Sequence, residues 1–202
     1  MITKYYTWDS LLDDRESVMA RMNRIERFSK ICKSVPVIEY DIDKNGIIYK
    51  QAKVKDRKKS TLIDKDHALE SLTMLANDLQ LMSDNYIVHG DINSKNIVLS
   101  NNKFYLVDFE PSLRQIKNGR SIWMITQPYI SLSDIESGII TSKTDKIGFY
   151  YFVRKIMGKL NAEKFAQLVE YRIQKRINSL PIEECQLEDF SFRNVLELAL
   201  NK

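Results

Sequence analysis

His89-Gly90-Asp91-Ile92-Asn93-Ser94-Lys95-Asn96, followed after an apolar run by Leu106-Val107-Asp108-Phe109-Glu110, is the stretch that decides how the chain reads. An acid, an amide five residues later and a second acid at the end of a short apolar strand form a set of oxygen donors suited to metal and phosphate. Asp91 is placed to accept a hydrogen bond from an attacking hydroxyl, and Asn96 and Asp108 to hold divalent cations against a triphosphate. One amide and one carboxylate oxygen suit magnesium, which takes its other ligands from phosphate and water. Between the two halves, Ile97 to Ser100 and Phe104 to Val107 flank Asn101-Asn102. This pattern predicts a hairpin with Asn96 at one end and Asp108 at the other, so that both fall on one sheet edge.

On the amino-terminal side, Val18, Met22, Ile25, Phe28 and Cys32 recur at helical spacing and predict an amphipathic helix from Asp14 to about Ser34, closed by Val35-Pro36. Val37 to Tyr40 and Ile47 to Val54 read as two strands joined by a turn at Asp43-Lys44-Asn45-Gly46. A basic connector follows, and its cluster Lys53, Lys55, Arg57, Lys58, Lys59 reads as a solvated loop. Leu72, Leu75, Leu79 and Met82 then mark a helix running almost to the Asp91 loop. On the carboxy-terminal side, Ile147, Phe149, Phe152, Val153 and Ile156 are too apolar for a surface helix and predict a buried central one from about Thr144. Phe165 to Ile177 and Asp189 to Leu200 read as further amphipathic helices.

Composition sets the frame. With 202 residues, 44% apolar and 29% charged, the chain suits one well-cored domain, or one domain of two small lobes. No apolar run approaches a membrane span, and Met1-Ile2-Thr3-Lys4 does not read as a signal peptide. Cys32 and Cys185 have no metal-ligand spacing and read as idle thiols of a reducing compartment, so a cytoplasmic location is expected. His67 and His89 are the only histidines, too few with these cysteines for a tetrahedral zinc site. A net charge of +4 permits an anionic partner, and without an aromatic-basic face it gives no reason to expect nucleic acid.

Together, H-x-D-x-x-x-x-N at His89 to Asn96 and D-F-x at Asp108 to Glu110 resemble the protein-kinase-like superfamily. The resemblance covers most of the chain. It implies an α+β, bilobal fold over residues 1–202, with a reduced N-lobe at 1–54 and a mainly helical C-lobe at 55–202. Tyr86-Ile87-Val88 resembles the short strand before the catalytic loop. Thr126-Gln127-Pro128-Tyr129-Ile130 resembles the segment that shapes a substrate ledge. Thr144-Asp145-Lys146-Ile147-Gly148 resembles the start of the helix whose aspartate anchors the catalytic-loop backbone.

In that resemblance Asp91 is the catalytic acid, Asn96 and Asp108 are metal ligands, and a strand lysine paired with a helix glutamate positions the phosphates. Lys4 and Glu26 fit those places, because Lys50 leaves room for only about one helix before Asp91. Asn93 stands where protein kinases carry a phosphate-contacting lysine, with Lys95 nearby as the catalytic cation. The chain departs from the pattern in two further ways. Its first glycine is Gly46, so no glycine-rich loop precedes Lys4, and a protein partner completing the N-lobe is an expectation. Gly90 and Glu110 replace the arginine of HRD and the glycine of DFG; D-F-E is similar to choline and aminoglycoside kinases, and the short Asp145 to Gly148 spacing to lipopolysaccharide-core kinases. The expectation is an ATP- and Mg2+-dependent phosphotransferase acting on a hydroxyl of a protein, as a Ser/Thr kinase does. The alternatives are a small-molecule, sugar or lipopolysaccharide-core kinase with an anionic acceptor, or a pseudokinase that regulates a partner.

Overall fold

In the computed structural model, which describes residues 1–125, 129–158, 187 and 189–201, strands β1 (Ile2–Thr7), β2 (Ile38–Ile42) and β3 (Gly46–Gln51) form an antiparallel sheet in the order β1-β3-β2. Helix α1 (Arg15–Ser29) fills the connection from β1 to β2; Asp14 caps it by accepting the Ser17 N–H at 2.9 Å. Lys4 lies opposite Tyr49 and Tyr49 opposite Tyr40. Because side chains alternate along a strand, Lys4, Tyr6, Tyr40, Tyr49 and Gln51 share one face of the sheet. The β2–β3 turn is held by Asp43, whose carboxylate accepts the N–H groups of Asn45 at 2.7 Å and Gly46 at 2.8 Å.

The remainder is built around a second hairpin, β5 (Ile97–Ser100) and β6 (Lys103–Leu106), with the short strand β4 (Lys58–Lys59) added at its edge. Asn101 and Asn102 both have positive φ, 47° and 56°, the conformation a two-residue turn of this hand requires and asparagine tolerates. A third hairpin, β7 (Arg114–Lys117) and β8 (Arg120–Trp123), turns at Asn118-Gly119, again with both φ positive. The helices are α2 (Lys65–Asp84), α3 (Leu132–Ser137), α4 (Ser142–Ile156) and α5 (Phe192–Asn201). The architecture is therefore α+β. One continuous apolar cluster joins α1 and the first sheet to α2, β5–β6, α4 and α5. Helix α4 is its axis: Phe152 meets Phe104 edge-on at 5.2 Å between ring centroids, and Phe149 meets Phe192 at 5.9 Å.

Several sequence boundaries shift for local reasons. Helix α1 ends at Ser29 because the buried Ser29 hydroxyl accepts the Ile38 N–H at 2.9 Å, which turns the chain back toward β2 about five residues early. Tyr86 to Val88 form no strand: Tyr86, with φ 56° and an exposed ring, sits in the turn that follows α2. The basic connector is partly a strand, since Lys58 and Lys59 pair with Leu99 and Val98. The expected helix at Phe165 to Ile177 lies outside the described residues, as does Cys185. Among the described residues no helix is long and apolar enough to cross a membrane.

Gly148 marks the closest approach between α4 and the loop at residues 89–96. A Cβ there would lie 2.4 Å from the Ile92 carbonyl oxygen, a backbone atom that cannot swing aside. Gly148→Ala should therefore destabilise the fold by about 1–3 kcal/mol, the usual cost of overpacking. Urea unfolding checks this, and a change within about 0.5 kcal/mol of the parent would show that the helix–loop contact is not tight.

Candidate active site

The loop at residues 89–96 is held from beneath by α4. Asp145, fully buried in the first turn of that helix, accepts the His89 N–H through Oδ2 and the Gly90 N–H through Oδ1, each at 2.7 Å. Helix α4 is itself set by Asp134, whose carboxylate accepts from the Thr141 and Thr144 hydroxyls at 2.7 Å each. Gly90 has φ 86°, and a Cβ on it would lie 2.7 Å from the Leu113 side chain. The backbone hand favours glycine there, and any side chain would also have to displace Leu113, which accounts for the absence of arginine before Asp91.

His89 braces the same loop. Its Nδ1 accepts the Asp91 N–H at 3.2 Å, which places the ring proton on Nε2, 3.0 Å from the Val107 carbonyl. Burial holds the imidazole below its ordinary pKa of 6.5, so it is a neutral strut between the loop and the hairpin. Asn93 completes the turn, accepting the Lys95 N–H at 2.8 Å and donating to the Asp91 carbonyl at 3.1 Å. Asn96 Nδ2 donates to Asp91 Oδ2 at 2.7 Å and to the Asp91 carbonyl at 2.9 Å. Asn96 Oδ1 is left without a protein donor among the described residues, so it remains available to an external ligand.

Asp108 follows β6 with φ 72°, a left-handed conformation unusual for a residue other than glycine. Its N–H donates to Gln51 Oε1 at 3.1 Å, and Gln51 also accepts from the Tyr49 hydroxyl. The inner face of the first sheet thus holds the backbone of the second acid. Lys4 Nζ donates to Asp108 Oδ1 and, at 3.2 Å, to Glu110 Oε1. Burial alone would lower the Lys4 pKa, but the hydrogen bond to Asp108 and the charges of Glu110 and Asp108 outweigh it and hold the ammonium above its ordinary value. Glu110, nearly buried, receives Gln115 Nε2 at 2.9 Å on its other oxygen, while Arg21 Nε donates to its carbonyl at 3.0 Å. Burial and the Glu110 charge push the Tyr6 phenol well up, so it is neutral.

Asp91, Asn96, Asp108 and Glu110 line a single cavity of about 280 Å3, walled on its outer side by Ile122, Trp123 and the two residues that follow. Lys4 is paired with two of these residues, Asp108 and Glu110. Two residues expected here lie elsewhere. Glu26 pairs with Lys30 at 2.9 Å along α1, and the carboxylate beside Lys4 is Glu110 instead, because α1 turns Arg21 rather than Glu26 toward Glu110. Lys95 is exposed and lines a separate groove, since the tight turn at Asn93 directs Asn96 into the cavity and its neighbour outward. Lys50 is on the outer face of β3, paired with Asp41. Residues 126–128 of the expected substrate ledge lie outside the described residues.

Sequence reasoning missed the β7–β8 wall and the polar face of the first sheet. Asn118-Gly119 between alternating residues is a strong hairpin signal that could have revealed the first. Lys4 and Tyr6, two apart on one strand, carried a trace of the second. Among the described residues, no group of three or more His, Cys, Asp or Glu side chains is placed to hold a metal ion. No family model matches this chain, and no curated protein matches it significantly.

Burial pushes the Asp145 carboxyl from an ordinary 3.8 up to about 7, against the two backbone donors and Arg21. An acid with a raised folded pKa keeps its proton in the fold after the unfolded chain has released it. Stability from this group therefore falls as pH rises from about 4 to about 7. His89 acts in the opposite sense, but equally in parent and variant. Thermal unfolding between pH 4 and 8 should show the stability difference between parent and Asp145→Asn moving in favour of the variant as pH rises. A flat difference would mean that Asp145 is ionised throughout.

Proposed function

We propose that this chain is a phosphotransferase of protein-kinase-like, bilobal organisation that moves the γ-phosphate of ATP to a hydroxyl, with Mg2+ as cofactor. One observation carries the reading: Asp91, Asn96 and Asp108 line one small cavity and Lys4 is paired with Asp108, which is the set of groups this chemistry needs. Asp91 is the acid oriented toward an incoming hydroxyl, with Asn96 fixing one of its oxygens. Asn96 Oδ1 and the Asp108 carboxylate are the oxygen donors for a divalent cation, which when bound neutralises phosphate charge. Lys4 is the cation for phosphate oxygens.

The donor set fits Mg2+ because it supplies few protein oxygens and leaves positions for phosphate and water. Lys4 bridges Asp108 and Glu110, so it swings between that pair and a bound nucleotide. Both members of the Lys4–Asp108 pair are more than a third exposed, at 36% and 39%. A pair this wet is worth only about 0–1 kcal/mol, which a metal–triphosphate complex outweighs. The β7–β8 hairpin stands at the mouth of the cavity and offers the cover that a glycine-rich loop gives elsewhere. The same Lys4 bridge favours a second reading, a partner-binding pseudokinase in which Lys4 permanently replaces the metal.

Labelled ATP with Mg2+ separates the two. Asp91→Ala should keep ATP affinity within a few-fold and lose about 10²–10⁴ in turnover, the range of a positioned base. Asp108→Ala should abolish the Mg2+ dependence of nucleotide binding. Parent protein that binds no Mg-ATP, or variants that turn over like the parent, would contradict the phosphotransferase reading; the first result would favour the pseudokinase.

A further inference from the structure

A second recess lies on the other side of the catalytic loop. It measures about 610 Å3, and among the described residues five cations line it: Arg57, Lys58, Lys59, Lys95 and Lys155. Among the described residues no carboxylate lines it. Among the described residues Arg57, Lys58, Lys59 and Lys95 form no ion pair, whereas Lys4, Lys30, Lys50 and Arg114 all do. Lys155 Nζ instead donates to the Ser94 hydroxyl at 2.8 Å. Ser60 also lines the recess, and among the described residues its buried hydroxyl has no hydrogen-bond partner, although buried polar groups are nearly always paired.

The cations are brought together by three separate pieces of backbone. Lys58 and Lys59 are fixed by pairing of β4 to Val98 and Leu99, Lys95 by the turn at Asn93, and Lys155 by the last turn of α4. Like charges converging from distant parts of the sequence repel one another, and that repulsion is relieved when an anion sits between them. Ser94, Lys95 and Ile97 face this recess while Asn96 faces the catalytic cavity, so one loop is the wall between the two. Among the described residues no aromatic side chain lines the recess to stack a base, which argues against a nucleic-acid strand.

We propose that this groove binds the phosphate group of a small phosphorylated molecule, and that this molecule is the hydroxyl acceptor. The binding part stands by itself; the acceptor role rests on the phosphotransferase reading. Arginine and lysine around a phosphate, with hydroxyl donors from Ser60 and Ser94, form the usual chemistry of phosphate recognition. Anchoring an acceptor by its phosphate on one side of the loop would leave a free hydroxyl to reach Asp91 on the other.

The test is calorimetry on the full chain in about 150 mM salt with EDTA and no nucleotide, using glucose 6-phosphate, glucose, inorganic phosphate and a single-stranded 12-mer as probes. Glucose 6-phosphate should bind at least tenfold more tightly than glucose. Inorganic phosphate binding at the same site supports recognition of the group itself. The double variant Lys58→Glu/Lys59→Glu, and Lys155→Glu separately, should each weaken binding at least tenfold with unfolding curves like the parent's. Lys44→Glu, an exposed charge control, and Lys4→Met, at the partner of Asp108, should leave it unchanged. Equal binding of glucose and its phosphate overturns the proposal, as do groove variants that bind like the parent, loss of binding in Lys4→Met, or tighter binding of the 12-mer. Because no nucleotide is present, failure here leaves the phosphotransferase reading standing, and intact groove binding without any Mg-ATP binding would sink that reading alone.

Discussion

A buried carboxylate holding two consecutive backbone N–H groups is the constraint on which the rest of this molecule depends. Asp145 fixes the amides of His89 and Gly90, and three residues along the same helix Gly148 lets α4 approach the Ile92 carbonyl. Two contacts a turn apart define both the position and the tilt of the loop. The cost of burying that acid is substantial, and the two charge-assisted hydrogen bonds offset part of it. What is gained is orientation. With the loop fixed, His89 spans to Val107, and the loop and the end of β6 become one rigid unit bearing Asp91, Asn96 and Asp108.

The other half of the site is contributed by the first sheet. Gln51 at the end of β3 receives the Asp108 amide, and Lys4 on β1 bridges Asp108 and Glu110. Exposure makes that ion pair weak as a stabiliser. Its significance is positional: it holds an ammonium beside the acid that would carry a metal, ready to move to phosphate. Arg21 from α1 grips the Glu110 carbonyl, so sheet, helix and hairpin all meet at three consecutive residues, Asp108 to Glu110.

Much of this was legible in the chain, and the reasons differ by element. Long amphipathic or uniformly apolar runs declared α2 and α4, since their burial follows directly from side-chain pattern. Asn101-Asn102 declared the β5–β6 turn because its backbone conformation selects asparagine. Asp91, Asn96 and Asp108 were legible because local spacing alone brings them near one another. Lys4 followed from counting elements. Glu26 lies elsewhere because counting elements places a helix without fixing its rotation: Glu26 and Arg21 are five residues apart, about 140° around the helix, and tertiary packing decides which faces the site. Lys95 was misplaced for a similar reason, since neighbouring residues in a tight turn point opposite ways. The groove's cations are separated by up to about a hundred positions in sequence, so their convergence belongs to the fold rather than to any motif.

The role proposed for Asn96 and Asp108 is to hold a metal–nucleotide complex beside Asp91. Paramagnetic relaxation in solution reads it most directly, with Mn2+ in place of Mg2+ and ATP added to isotopically labelled protein. Selective broadening is expected for the resonances of Asp91, Asn96, Asp108 and Lys4, with those of Lys50 and of the β4 lysines far less affected. Broadening centred elsewhere, or none at a manganese–ATP concentration well above micromolar, would contradict it.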